Sequence, residues 1–268
     1  MIITSAPLTI LSWIITNTLC RKLKLQRPNF KGDIIPVGIG FMLIPAAMPI
    51  YIWMLFDNKA AFAKIIVFMI TLLGFSVIGL LDDIYGTREV GGFRGHLGLL
   101  KKGRISTGLI KMVGGGLLGL TIGIYISQAN LISGIINEIL IALSANTLNL
   151  LDLRPGRAVS CLWVGILALV IANRGHLSIW PELIPVLIPA VFLTVLDRSA
   201  KVMLGDAGSN ALGAVLGISL AYEAGLPAKV GVLLFMAVIH IYSEKRSISE
   251  LIESNGILRR VDRLLGER

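Results

Sequence analysis

Leu80-Leu81-Asp82-Asp83-Ile84-Tyr85-Gly86 closes an apolar run that begins near Ala63. Apolar runs of about 20 residues cross roughly 30 Å of hydrocarbon as helices. The two carboxylates therefore lie where a membrane helix meets water. A charge costs about 2.5 to 3.5 kcal/mol at the centre of a span and less towards its end. The pair is thus either a solvated helix end beside basic neighbours or a place of chemistry. Gly92-Phe93-Arg94-Gly95-His96, Gly103-Arg104-Ile105-Ser106-Thr107 and Lys111 follow, leading into the next apolar run.

Of 268 residues, 55% are hydrophobic and 15% charged, with a mean hydropathy of +0.81. Soluble domains carry about 25% charged residues, so this composition is that of an integral membrane protein. The net charge of +9 comes from basic residues lying between apolar runs. The positive-inside rule accounts for them without nucleic acid, and no base-stacking or DNA-reading motif is present. Cys20 and Cys161 fall at or inside apolar segments and imply no disulfide framework. No Lys or Arg precedes Arg21 and no small-residue cleavage pattern follows the first run, which reads as a first span rather than a signal peptide.

Runs long enough to span fall at about 2–20, 36–56, 63–81, 108–127, 134–151, 158–173, 183–197, 210–226 and 228–243. The expectation is an all-α polytopic membrane protein with about nine transmembrane helices. Twenty-one of the 25 Lys and Arg residues lie on one set of alternate connections, leaving only Lys59, Lys64, Arg174 and Lys229 on the other. This predicts the N-terminus outside and the C-terminus in the cytoplasm. Residues 1–243 form one transmembrane domain. Residues 244–268 read as a cytoplasmic amphipathic tail lying on the membrane surface. Gly115, Gly119 and Gly123, like Gly213 and Gly217, have the small-xxx-small spacing of close helix packing in lipid.

Every polar stretch of chemical interest falls on the predicted cytoplasmic face. Asn146-x-x-Asn149-x-x-Asp152 sets three oxygen-bearing side chains on one side of the fifth span, a turn apart. Such a ladder either bonds helices together or offers the amide and carboxylate oxygens that Mg²⁺ accepts beside substrate phosphates. Gly205-Asp206-x-Gly208-Ser209 places a carboxylate between glycines that admit a ligand closely, before a helix N-terminus suited to an anion. It is neither a P-loop nor a dinucleotide fingerprint. Lys111 lies within a turn of its span's end, where snorkelling competes with function. For Lys201 the positive-inside rule is an equal account. Together these features suggest phosphoryl chemistry at a membrane surface.

The sequence resembles the polyprenyl-phosphate N-acetylhexosamine-1-phosphate transferases, the membrane superfamily that contains phospho-N-acetylmuramoyl-pentapeptide transferase and the enzymes that start teichoic acid and O-antigen synthesis. The resemblance rests on Arg27-Pro28-Asn29 with Ile35-Pro36-Val37-Gly38-Ile39-Gly40, Asp82-Asp83-x-x-Gly86, Gly92-Phe93-Arg94-Gly95-His96, Asn146-x-x-Asn149-Leu150-Leu151-Asp152, and Ala200-Lys201 with Gly205-Asp206-x-Gly208-Ser209. It implies Mg²⁺-dependent transfer of a sugar 1-phosphate from a UDP-sugar to polyprenyl phosphate, releasing UMP, at the cytoplasmic face of a bacterial plasma membrane. Carried over, Asp206 and Asn149 hold the metal, and Asp82 or Asp83 orients or deprotonates the lipid phosphate. Asp152 binds nucleotide or positions that pair, and Lys111 stabilises diphosphate charge. Asn146, Lys201, Gly205 and Ser209 belong to the expected substrate site, and a homodimer to the expected partners.

The chain departs from the family where Leu153-Arg154-Pro155-Gly156-Arg157 follows Asp152, since glycine and further acids are usual there. Arg154 and Arg157 are candidates to grip phosphate or pyrophosphate. The family's histidine-rich late loop and tenth span are also missing. An inactive relative serving as a scaffold is therefore one alternative, and a transporter or lipid-binding protein another.

Overall fold

The computed structural model describes residues 2–57, 59–86, 98–99, 101, 103 and 106–265. The motif Gly92 to His96 lies outside them. Among the described residues the chain forms eleven α-helices: α1 (Ile2–Lys22), α2 (Leu43–Asp57), α3 (Phe62–Tyr85), α4 (Thr107–Ile126), α5 (Leu131–Leu151), α6 (Arg157–Ala172), α7 (Trp180–Arg198), α8 (Gly205–Glu223), α9 (Leu226–Ser243), α10 (Ile248–Ser254) and α11 (Gly256–Leu265). The first nine fall near the nine expected runs. Six of them, α2 to α5, α7 and α9, are long and apolar enough to cross a membrane.

Helix α1 shows how lipid inverts the usual amphipathic rule. Ser5, Thr9, Ser12 and Thr16 are buried along one face, whereas Ile10, Leu11, Ile14, Ile15 and Leu19 are exposed. Apolar side chains facing hydrocarbon cost nothing, so small hydroxyl residues take the buried face; Thr9 donates to the Ser5 carbonyl at 2.8 Å.

The molecule is built around α8, which is buried continuously from Ala207 to Ala221 and packs against α3, α5 and α6. Its residues are mostly Gly, Ala and Ser, so its hydropathy is modest, yet its backbone comes into near contact with its neighbours. A Cβ at Gly217 would lie 2.7 Å from Ile141 Cα, and one at Gly213 would strike Ser144 and Ala145 of α5. Helices α4 and α5 meet the same way, Gly123 against Gly134 and Gly119 against Glu138. The expected glycine spacing thus marks helix contacts.

The expected second span begins later than its hydropathy implies. Gln26–Pro28 (β1) pairs antiparallel with Ile34–Pro36 (β2), Arg27 opposite Ile35, and a short 3₁₀ turn over Ile39–Met42 precedes α2. The loop after β2 runs beside the segment before α8. Met203 N–H donates to the Pro36 carbonyl at 2.8 Å, Ile39 N–H to Met203 at 3.2 Å and Gly40 N–H to Leu204 at 2.9 Å. A Cβ at Gly40 would run into the Gly208 backbone.

Gly40→Ala is therefore expected to lower the thermal midpoint of the detergent-solubilised protein substantially, because two backbones must part. Gly231→Ala, where a Cβ meets nothing within 4 Å, should leave it nearly unchanged. Equal midpoints for the two variants would refute this packing.

Candidate active site

Four helix ends meet where α3 and α5 finish and α4 and α8 begin. The N-terminus of α8 organises them. Its N-cap is Leu204, which has no side-chain acceptor, so the first N–H groups need partners from elsewhere. Asp83, in the last turn of α3, accepts Asp206 N–H at 2.9 Å and Ala207 N–H at 3.0 Å. Asp152, just beyond α5, accepts Gly205 N–H. Three successive N–H groups of one helix are thus capped by carboxylates of two others, the sign that a helix N-terminus favours. Gly205 makes this possible: its φ is +72°, and a Cβ would lie 2.7 Å from both Asp83 Oδ2 and Gly38 N.

Lys111, in the second turn of α4, pairs with Asp206 Oδ2. That turn is set by Ser106, whose Oγ accepts Leu109 N–H at 3.2 Å. The Asn149 carboxamide lies beside the ion pair with its nitrogen towards Asp206 Oδ1 at 2.9 Å and its oxygen towards Lys111 Nζ at 2.8 Å. The reverse orientation would set oxygen against carboxylate and NH₂ against ammonium. Ser209 Oγ lies 3.0 Å from the same carboxamide and donates to the Gly205 carbonyl at 3.0 Å. The Asp82 and Asp206 carboxyl groups are within hydrogen-bonding reach of each other.

Oxygens of Asp206 and Asn149 therefore converge on an ammonium, with a second carboxylate alongside. That donor set fits Mg²⁺, which takes one or two protein carboxylates and completes its octahedron with substrate phosphates. Among the described residues no three His, Cys, Asp or Glu side chains form a closed metal cage. An open, substrate-completed site needs none.

Crowding of like charges has a cost at Asp152. Burial first, then Asp197, Asp206 and Asp83, pushes its carboxyl well above the usual carboxylate range. Asp197, in the last turn of α7, is buried and accepts Gly156 N–H at 2.8 Å. Sequence reading assigned it no role; its only signal was a carboxylate at the end of an apolar run, beside Arg198.

Of the expected site residues, the fold brings together Asp82, Asp83, Lys111, Asn149, Asp152, Gly205, Asp206 and Ser209. Asn146 is exposed on α5, one turn before Asn149, and three others lie apart. Lys201 is exposed and lines a separate groove of about 390 Å³ with Trp13, Arg21 and Asn29. Arg157 is buried against Asp262 of α11, and Arg154 reaches Glu253 of α10 at 3.4 Å. The expected phosphate-gripping arginines are thus engaged by the C-terminal tail.

No family model matches the chain, and no curated protein matches it.

Two substitutions separate the roles. Asp83→Ala strands two buried N–H groups and should cost about 1 to 3 kcal/mol, read as a lowered thermal midpoint. Asp152→Asn keeps an acceptor for Gly205 and removes a charge. Because the folded state raises this group's affinity for a proton, stability is present below the unfolded carboxyl's pKa and is lost as pH rises from there through the higher folded one. Asp152→Asn should therefore raise the midpoint, more in mildly alkaline than in mildly acid buffer. A lowered midpoint at alkaline pH would contradict this.

Proposed function

We propose that the acidic end of the bundle transfers a sugar 1-phosphate from a UDP-sugar to polyprenyl phosphate at the cytoplasmic face of the plasma membrane. The observation that carries this reading is the convergence of Asp206, Asn149 and Asp82 around the ammonium of Lys111. Such a site selects a cation together with an anionic group, and it lies at the end of membrane-crossing helices, where a lipid phosphate and an aqueous nucleotide both reach. The resemblance to the transferase superfamily supplies the substrates.

In this reading a phosphate oxygen of the lipid attacks the phosphorus that bears the sugar. A new P–O bond forms, the P–O bond to the nucleotide breaks, and UMP leaves with the bonding pair. A lipid phosphate already carries between one and two negative charges near neutral pH, so no strong base is needed. Positioning and charge stabilisation supply most of the catalysis. Asp206 and Asn149 would hold Mg²⁺, which neutralises diphosphate charge when bound. Lys111 moves from Asp206 to the diphosphate and stabilises charge on the departing UMP. Asp82 orients the acceptor phosphate, since Asp83 is committed to the α8 backbone. Asp83 and Asp152 act as positioning residues that fix Asp206.

Purified protein given Mg²⁺, polyprenyl phosphate and a panel of UDP-sugars should release UMP with at least one donor. Asp206→Asn should abolish turnover while the protein remains folded, and Lys111→Ala should slow it on the order of 10²-fold or more. No UMP from any donor, or full activity in Asp206→Asn, would overturn the proposal.

A further inference from the structure

Helices α10 and α11 are fastened to the turn between α5 and α6 by contacts that the proposed reaction does not use. Arg157 is 4% exposed and grips Asp262 with two parallel bonds, Nε to Oδ1 at 2.5 Å and Nη2 to Oδ2 at 2.9 Å. Its third nitrogen donates to Ser249 Oγ of α10 at 2.9 Å. Arg198 donates to the Leu264 carbonyl. A forked, fully hydrogen-bonded pair is the form in which buried charges are tolerated, whereas removing one partner leaves an uncompensated charge. The backbone is shaped for the same contact: Gly156 has a φ of +82°, and a Cβ there would collide with the Leu265 carbonyl. Gly156 N–H in turn donates to Asp197, whose charge is felt by Asp152. The tail thus rests directly on the turn that follows the acidic site.

The other side of α11 is open. Ile257, Val261 and Leu264, spaced four and three apart, form one stripe and are 77%, 47% and 69% exposed. Arg260 borders that stripe, and Arg259 and Arg263 lie on the far face. Helix α9, long and apolar enough to span, ends at Ser243, and α11 begins soon after, at Gly256. A bilayer surface is therefore within reach of the stripe, and short helices with an apolar face and arginines beside it bind anionic lipid surfaces.

We propose that α11 lies in the headgroup region of the adjacent leaflet, Ile257, Val261 and Leu264 entering it and Arg260 meeting anionic lipid at its edge, while Arg157–Asp262 straps it to the turn beside the acidic site. The proposal rests on the membrane reading alone and is independent of the transferase assignment. A catalytically inert protein would still show it.

The test uses the full chain in nanodiscs, with Cys20 and Cys161 replaced by alanine and one nitroxide label at Val261→Cys or Arg263→Cys. In discs containing phosphatidylglycerol, the label at 261 should be more accessible to oxygen than to a water-soluble nickel chelate, and the label at 263 the reverse. Discs of phosphatidylcholine alone should weaken this contrast. Arg157→Asp should abolish it, and Arg157→Asp combined with Asp262→Arg should restore it. Asp262→Asn, which alters only the tail, serves where Arg157→Asp fails to fold, and should likewise abolish the contrast. A water-exposed label at 261 in both lipids overturns the proposal. Dipolar broadening between labels on two copies overturns it in favour of a dimer contact. An unchanged contrast in both Asp262→Asn and Arg157→Asp overturns the strap.

Discussion

The first turn of α8 presents three backbone N–H groups that its own sequence cannot cap, and carboxylates from α3 and α5 take them. This one arrangement fixes the ends of three helices relative to one another. It also explains the glycines around it, since Gly205 and Gly38 must let the Asp83 carboxylate lie against the backbone. Without it, Asp206 would sit on a frayed helix end. With it, Asp206 faces Lys111, Asn149 and Asp82 in a fixed array.

The same arrangement stores repulsion. Asp82, Asp83, Asp152, Asp197 and Asp206 share one end of the bundle, and among the described residues Lys111 pairs directly with Asp206. Backbone N–H groups answer the charge on Asp83, Asp152 and Asp197, at α8 and at Gly156. Asp82 lies against Asp206, which pairs with Lys111. Two carboxylates held in contact disfavour each other's ionised form, at some expense to the stability of the fold.

Much of this was legible in the sequence. Nine apolar runs marked nine helices, and the glycine spacing marked their contacts, because both depend on local pattern alone. Other features depend on pairing that no local pattern reveals. Pro36 and Val37 read as the start of the second span, yet Pro36 ends a hairpin strand and Val37 follows it, because that loop lies beside Met203 and Leu204. Asp82 and Asp83 are equivalent as neighbours in a chain. Only the position of α8 commits Asp83 to backbone and leaves Asp82 beside Asp206. Arg154 and Arg157 read as phosphate grips because their partners, Glu253 and Asp262, lie about a hundred residues away. Asp197 went unassigned for the same reason, its partner being the backbone of Gly156.

The central claim is that Asp206 and Asn149 can hold a divalent ion together with a diphosphate. Electron paramagnetic resonance of Mn²⁺ added to the purified protein with UDP tests it most directly, whatever the turnover. The account predicts a bound Mn²⁺ signal that requires both wild-type protein and UDP and is lost in Asp206→Asn. A signal of equal strength in Asp206→Asn, or none in the wild type, would contradict it.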